Sequence, residues 1–254
     1  MRQGPAGDFD YERFGRRYSA HRRTDPRIAA LVQGHLGSAR TVLNVGAGAG
    51  SYEPADQAVV AVEPSAQMRS QRPAGLGPAI EARAEELPFG DHAFDASMAT
   101  VTIHQWSDPV AGLTEMRRVT SGPVVVLTFD GDELDQFWLA RYAPELIEAE
   151  RRRYPAIDTV RSVLGEASVE TVPVPLDCSD GFTEAYYGRP ERFLDDEVRR
   201  SQSAWGFVDA QTESRSVERL ARDIASGEWD RHHGHLRDQE RYLGSLRLVV
   251  GRPA

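Results

Sequence analysis

The sequence predicts an α/β fold in which helices cover both faces of a parallel sheet. Short runs rich in Val, Ala and Ile recur along the first half of the chain, and Gly, Pro or Asp bounds each of them. Helical segments lie between these runs, notably at 65–72 and 108–119. Strands that alternate with helices in this way form parallel sheets whose two faces are both buried.

Residues 1–8 show no regular pattern. The predicted core elements follow them in order along the chain. Residues 9–36 have a helical, Arg-rich pattern, in which Asp25-Pro26 opens a second helix. Asp is a preferred N-cap and Pro suits the first helical position. The predicted strands of the core are 41–46, 58–63, 79–83, 94–101 and 123–129.

The second half of the chain changes in character after Asp130. Residues 132–164 and 182–240 read as helices that carry most of the aromatic residues. A strand at 169–176 contains two prolines, which place it at a sheet edge, and a final strand covers 246–250. We therefore divide the chain into three parts: N-terminal helices and core (1–130), a helical cap insertion (131–168), and remaining edge strands with further cap helices (169–254).

The segment between the first two predicted strands carries the strongest functional signal. One apolar run leads into Gly46, Gly48 and Gly50, and a second apolar run ends on Glu63. Neighbouring parallel strands bring such a turn and acid together at their carboxyl ends, where open α/β sheets bind ligands. Glycines let the backbone approach a ligand closely, and a carboxylate accepts two hydrogen bonds from a ribose diol. The pattern predicts a nucleoside-binding site.

Composition excludes several classes of function. The net charge of −9 argues against a nucleic-acid or membrane partner. All 30 basic residues are Arg, which excludes a Schiff-base or phosphate-loop lysine. Cys178 is the sole cysteine, so we expect no disulfide framework or thiolate metal cluster. No run approaches the ~18 apolar residues of a membrane span, and no signal peptide is recognisable. We expect a cytoplasmic protein that acts on a small molecule.

The glycine spacing bears on which nucleoside is bound. A dinucleotide fingerprint Gly-x-Gly-x-x-Gly that starts at Gly46 requires glycine at position 51, which is Ser51, whereas the third glycine is Gly50. Eight residues separate Gly50 from Val59 (59 − 50 − 1 = 8), which leaves little room for a helix aimed at a pyrophosphate. The spacing favours S-adenosylmethionine over NAD.

Four motifs between residues 40 and 130 occur in a characteristic order. They are VLNVGAGAG (42–50), VAVEPSAQM (60–68), AEELPF (84–89) followed by Phe94-Asp95, and HQW (104–106). In this order they resemble the class I S-adenosylmethionine-dependent methyltransferases, in the group that includes ubiquinone/menaquinone-type and many small-molecule methyltransferases. The resemblance implies a Rossmann-like, seven-stranded, mostly parallel sheet with helices on both faces and a helical cap insertion. It also implies S-adenosylmethionine as cofactor.

The resemblance further implies which residues bind the cofactor. Glu63 matches the acid that binds the ribose, and Ala84 the backbone contact of adenine. A tyrosine and an arginine of the leading segment close over the cofactor in related enzymes, although Arg22 and Arg23 also fit a solvated basic face. The full set is Tyr18, Arg23, Gly46, Ala47, Gly48, Gly50, Glu63, Pro64, Ser65, Met68, Ala84, Glu85, Thr100 and Val101.

The chain departs from the family pattern at two positions. Asn44 stands where the family usually has Asp or Glu, so it supplies no charge to the cofactor. Arg83 stands where the family often has an Asp that binds the adenine amino group. Both departures bear on cofactor affinity.

His104 is the candidate catalytic residue, because its near-neutral pKa suits a general base for a hydroxyl, amine or enol. A purely structural histidine is the alternative. His232, His233 and His235 lack a carboxylate-rich partner, and we expect no metal site. Two other functions stay open: an NAD-dependent oxidoreductase, and a non-catalytic regulator that keeps the methyltransferase fold. The acceptor, the atom methylated and the oligomeric state are not readable from the sequence.

Overall fold

A computed structural model of the chain describes residues 22–253. Its helices and strands are α1 (Pro26–Leu36), β1 (Thr41–Val45), β2 (Ala58–Val62), α2 (Ala66–Arg69), β3 (Ala79–Ile80), β4 (Ala96–Thr100), α3 (Pro109–Val119), β5 (Val124–Phe129), α4 (Pro144–Arg151), α5 (Ile157–Leu164), β6 (Glu166–Thr171), β7 (Val174–Pro175), α6 (Asp196–Arg200), α7 (Ala210–Ala225), α8 (Glu228–His233), β8 (Arg241–Tyr242) and β9 (Leu246–Arg252). Short 3₁₀ turns join several of them.

Seven of these strands form one sheet in the order β3-β2-β1-β4-β5-β9-β6. The strands from β3 to β5 pair in parallel, whereas β9 is antiparallel to both β5 and β6. The prediction of a seven-stranded, mostly parallel sheet is confirmed, and the sheet is mixed at one side. The last strand, β9, lies between β5 and β6. A strand at this place can run parallel or antiparallel to its neighbours, and its hydrophobic pattern alone does not fix the direction.

Apolar side chains cover both faces of the sheet. In β5, Val125 and Leu127 face the side on which α1 packs, while Val124 and Val126 face α3. All four valine and leucine side chains are fully buried. Each such side chain contributes about 1.5–3 kcal/mol relative to exposure. The continuous apolar runs seen in the sequence therefore follow from burial on two faces.

Two predicted strands differ in extent from the structure. The strand predicted at 79–83 is limited to Ala79–Ile80. The strand predicted at 169–176 is divided: β6 pairs with β9, and β7 pairs with β8 in a separate two-stranded sheet. Pro173 lies between β6 and β7 and cannot donate a ladder hydrogen bond, which explains the break.

The predicted cap insertion at 131–168 contains two kinds of structure. The 3₁₀ turns and α4 pack among aromatic cap residues, and Trp138 contacts the rings of Phe193 and Trp229 edge to face. In contrast, α5 buries Val160 and Leu164 against the sheet and α3. The strand β6 already begins at Glu166. The part that reaches the carboxyl edge of the sheet is therefore shorter than the predicted segment.

Candidate active site

The first two strands end next to each other. Val45 of β1 pairs with Val62 of β2, so Gly46 and Glu63 follow neighbouring strand ends. The Glu63 carboxylate is buried, and it accepts hydrogen bonds from the backbone N–H of Gly48 (2.9 Å) and of Ser65 (2.8 Å). Burial raises the pKa of Glu63, and these two N–H donors oppose the rise. The acid and the glycine turn thus form one hydrogen-bonded unit.

All three glycines of the turn have backbone conformations that favour glycine. Gly46, Gly48 and Gly50 have φ of 68°, 51° and 96°. A Cβ on Gly46 would lie 2.3 Å from Oγ1 of Thr102, which follows β4. The turn therefore holds bare backbone against the next strand end, as a cradle for a ligand requires.

A cleft with about 790 Å³ of empty volume opens over this turn. Its wall includes turn backbone, the Glu63 carboxylate and the segments that follow β2, β3 and β4. The lining residues are Arg22, Gly46, Ala47, Gly48, Ala49, Ser51, Tyr52, Glu63, Pro64, Met68, Arg83, Ala84, Glu85, Thr100, Val101, Thr102, Gln105, Trp106 and Ser107. The mixture of a bare turn, an acid and apolar or aromatic walls fits an adenosine with a polar tail.

Ten of the predicted cofactor residues line this cleft: Gly46, Ala47, Gly48, Glu63, Pro64, Met68, Ala84, Glu85, Thr100 and Val101. Ser65 lies beneath it, fully buried, and its hydroxyl caps α2 by accepting from the N–H of Met68 (3.1 Å). Gly50 is not among the lining residues and faces Leu76 and Arg72 instead. Arg23 is exposed and also outside the lining, whereas its neighbour Arg22 is within it. Tyr18 falls outside the described residues.

Asn44 takes part in a buried polar network below the turn. Its amide donates to Oε1 of Glu53 (3.0 Å), and Arg72 donates to both oxygens of the same carboxylate (2.9 and 3.0 Å). The Glu53 and Arg72 side chains are only 2% and 5% exposed. A carboxylate at position 44 would face Glu53 at close range, so an amide is the residue that this network accommodates.

A second cavity, with about 560 Å³ of empty volume, adjoins the cleft. Apolar side chains from β5, α4 and the turns of the cap form much of its wall. Its lining residues are Arg22, Val101, His104, Gln105, Phe129, Leu134, Leu146, Ile147, Glu150, Tyr154, Phe182, Thr183, Glu184, Gln202, Ser203 and Ala204. Arg22, Val101 and Gln105 line both spaces, so the two spaces meet at these residues.

His104 belongs to this second cavity rather than to the cleft. Its ring packs on Tyr154 with centroids 4.6 Å apart, and its buried Nδ1 has no hydrogen-bond partner among the described residues. Burial, followed by the positive charges of Arg153 and Arg22, holds the pKa of His104 well below its usual range. The imidazole is therefore neutral near pH 7, and its Nε2 lies 3.3 Å from Nε2 of Gln105.

Charged side chains beside the cavity are paired with one another. Arg22 donates from Nε to Asp180 (2.5 Å), and the Tyr52 hydroxyl donates to the other oxygen of Asp180 (2.7 Å). Arg153 forms an ion pair with Glu150. Such pairing keeps charge near the junction without leaving it uncompensated.

Sequence reasoning missed the residues that the cap contributes to this cavity. Glu150, Tyr154, Glu184 and Gln202 lie 46 to 98 positions beyond His104 in the chain, and no motif singles them out. Tyr154 is partly buried and Glu184 is buried, and burial raises the pKa of Glu184 to about 7. A search for paired, buried titratable groups requires the tertiary structure.

Two findings concern metals and membranes. Among residues 22–253, no group of three His, Cys, Asp or Glu side chains is arranged to hold a metal ion. Within the same range, none of the helices combines the length and the apolar character of a bilayer-spanning segment.

Comparison with known proteins agrees with this geometry. Residues 43–125 match the family model of a methyltransferase domain. A Geobacter ubiquinone/menaquinone biosynthesis C-methyltransferase is 32% identical over 119 residues, which are 40% of this chain and 51% of that protein. The chain thus matches about half the length of this curated relative.

Solved structures extend the likeness to nearly the whole chain. A protein from Anabaena variabilis, described as a methyltransferase from an antibiotic biosynthesis pathway, is 28% identical with a TM-score of 0.84. The match covers 92% of this chain and 99% of that one. A Thermotoga maritima S-adenosylmethionine-dependent methyltransferase shares the fold at 18% identity and a TM-score of 0.57, over 96% and 98% of the two chains. Residues 43–125 thus form a methyltransferase domain, and the chain is similar to class I S-adenosylmethionine-dependent methyltransferases, including those of ubiquinone/menaquinone biosynthesis.

Proposed function

We propose that the protein transfers a methyl group from S-adenosylmethionine to a small-molecule acceptor. The observation that carries this proposal is the meeting of two spaces at Arg22, Val101 and Gln105. One space has a glycine cradle and a buried acid, and the other has apolar walls and a neutral imidazole. A cofactor and an acceptor that occupy adjoining spaces are held close together, which is the main requirement of a displacement reaction.

The cleft residues fit S-adenosylmethionine. Glu63 would accept hydrogen bonds from the ribose hydroxyls, and the cradle of Gly46 and Gly48 would admit the methionine part, where any Cβ would obstruct it. Pro64, Met68 and Ala84 would line the adenine. The bound cofactor supplies a methyl group that is already activated, because the sulfur keeps the bonding electron pair when the acceptor attacks the methyl carbon.

The residues of the second cavity have the remaining tasks. His104 is the proposed general base: its neutral imidazole can take the proton that the acceptor loses as its new bond forms. A depressed pKa makes this imidazole a weak base, so it matches an acidic hydroxyl or enol better than an alkyl amine. The cap side chains Leu146, Ile147 and Phe182 exclude water and orient an apolar acceptor.

Two narrower points belong to the same proposal. The likeness to the Anabaena protein supports an acceptor from secondary metabolism. A cytoplasmic location is consistent with a lone, buried Cys178. Incubation with S-adenosylmethionine labelled in the methyl group and extracts of the source organism, followed by mass spectrometry, identifies the acceptor, and cell fractionation checks the location.

Calorimetry and thermal shift with S-adenosylhomocysteine and NADH test the cofactor. We expect micromolar binding of S-adenosylhomocysteine and an increase in melting temperature that grows with its concentration. NADH should give neither effect, because Ser51 replaces the third glycine of the dinucleotide fingerprint. Binding of NADH alone would instead support the oxidoreductase. Binding of S-adenosylhomocysteine without methylation of any acceptor would support the non-catalytic regulator.

A further inference from the structure

Few residues line both the cleft and the second cavity. Only three of the described residues line both spaces: Arg22, Val101 and Gln105. A group transferred from a ligand in the cleft to a ligand in the second cavity therefore passes close to these side chains. Their size and freedom to move therefore limit what can be transferred.

Val101 differs from the other two residues because its side chain is short, apolar and stiff. It is buried, it belongs to the apolar cluster beneath the cap, and its N–H donates to the carbonyl of Leu127 (2.7 Å), which continues the β4–β5 pairing by one residue. Arg22 and Gln105 are long side chains with several rotatable bonds. A valine has a single χ angle and few rotamers.

The backbone of Val101 supports the same view. Its φ is 51°, a conformation in which a β-branched residue is a true outlier. The chain turns here from β4 towards Thr102, whose hydroxyl packs against the bare backbone of Gly46. Glycine fits this conformation without strain, yet the chain has valine. Backbone strain of this kind is concentrated at functional sites, where the surrounding structure holds it in place.

We propose that Val101 is the residue that restricts the transferred group to a methyl. Its two γ-methyl groups occupy the junction between the cleft and the second cavity, so that a one-carbon substituent on the cofactor sulfur fits and a longer one does not. The inference rests on the proposed function, since it assumes that the cleft holds S-adenosylmethionine.

Ligand binding tests this proposal without knowledge of the acceptor. The probes are S-adenosylhomocysteine, S-adenosylmethionine and its analogue with an allyl group in place of the methyl group, and calorimetry measures the Kd of each. For the natural chain we expect the allyl analogue to bind at least about 10-fold more weakly than S-adenosylmethionine, because misplaced methylenes in a tight pocket cost this much or more. Val101→Ala should remove most of this difference.

Two further variants keep the test interpretable. Val101→Gly should give the same gain for the allyl analogue and a melting temperature at least equal to that of Val101→Ala, because glycine relieves the positive φ. Val125→Ala is the matched control: this valine is buried in β5 and lines neither space, so the ratio of the two Kd values should not change.

The outcomes separate the inference from the proposed function. A Kd ratio that is the same in the natural chain, V101A and V101G overturns the role of Val101, even though S-adenosylhomocysteine still binds. An equal gain in V125A also overturns it, because the effect would then come from general loosening. If S-adenosylhomocysteine does not bind the natural chain at all, the proposed function and this inference both fail.

Discussion

The cleft and the second cavity, which we propose to hold the cofactor and the acceptor and call the acceptor cavity below, lie at one edge of the same sheet but are assembled differently. Apart from Arg22, the cleft is built from residues 46–107, which follow consecutive strands. The acceptor cavity combines Arg22 and residues 101–105 with side chains from 129–154 and 182–204. A site made by consecutive strand ends leaves motifs in the sequence, whereas a site made by distant cap elements does not. Substitutions in the two sites should therefore differ in the size of their effects, and the effects are expected to decrease from the cleft to the acceptor cavity.

The largest effect is expected in the cleft, for Glu63→Ala. If the buried carboxylate bonds two ribose hydroxyls as proposed, its loss should remove about 3–6 kcal/mol of binding free energy, which is a 100-fold or greater loss of affinity for S-adenosylhomocysteine. Calorimetry measures the affinity, and circular dichroism checks the fold. Glu81→Ala, at an acid that is 73% exposed, is the control. An unchanged affinity in the Glu63 variant would refute the ribose assignment.

The next effect concerns the support beneath the cleft. Arg72→Met leaves the Glu53 carboxylate buried without its cation, and we expect a loss of about 3–5 kcal/mol in the free energy of unfolding. The double variant Glu53→Gln with Arg72→Met should recover most of this loss, because no charge then stays uncompensated. Urea unfolding measures both. Equal losses in the single and the double variant would contradict the ion-pair explanation.

A smaller effect is expected at the glycine turn. Gly46→Ala places a Cβ against Thr102 at a φ of 68°, and we expect a loss of stability of about 1–3 kcal/mol together with weaker binding of S-adenosylhomocysteine. Gly90→Ala is matched in chemistry and has no atom within 4 Å of the added Cβ. If both variants behave alike, the turn is less constrained than its backbone indicates.

The smallest effects are expected in the acceptor cavity, where two buried groups should change the free energy of unfolding with pH in opposite directions. His104 has a lowered pKa, so below its usual value of 6.5 the folded state binds fewer protons than the unfolded state and loses stability as the pH falls. Glu184 has a pKa raised from 4.5 to about 7, so between these values acid stabilises the folded state. Each group contributes at most about 1.4 kcal/mol per pH unit.

Variants at the two positions separate these contributions. Between pH 7 and pH 5, His104→Gln should gain stability relative to the natural chain, and Glu184→Gln should lose it. Urea unfolding at a series of pH values gives the slopes. Parallel pH profiles for all three proteins would show that folding does not change the pKa of either group, and would contradict the burial that the structure gives them.

Most of the cleft could be predicted from the sequence because the residues that form it lie close together in the chain. The segment 41–65 contains the glycines with positive φ, the acid at the end of the next strand, and the two apolar runs that are buried on both faces. The sequence did not show that Arg22, rather than Arg23, lines the cleft. This depends on where the chain around Arg22 passes the cleft. That crossing is set by the contact of Arg22 with Asp180, 158 positions away.

The acceptor side could not be predicted in the same way. His104 was visible as a histidine after a strand, but its low pKa comes from burial by Tyr154 and the cap. The positive φ of Val101 could not be predicted from the sequence, because valine rarely adopts this conformation. Glu184 becomes a buried acid only because Ser245, at the start of the last strand, returns to bond it.

The fold class, the strand-end turn and the acid that faces it were predictable from the amino-acid sequence, since these depend on periodicity and on the backbone freedom of nearby residues. The direction of β9, the extent of the cap and the residues that join the two cavities became known only from the folded chain. These features depend on contacts between distant parts of the chain, whose free energy comes from shape and burial and is not encoded in any short segment.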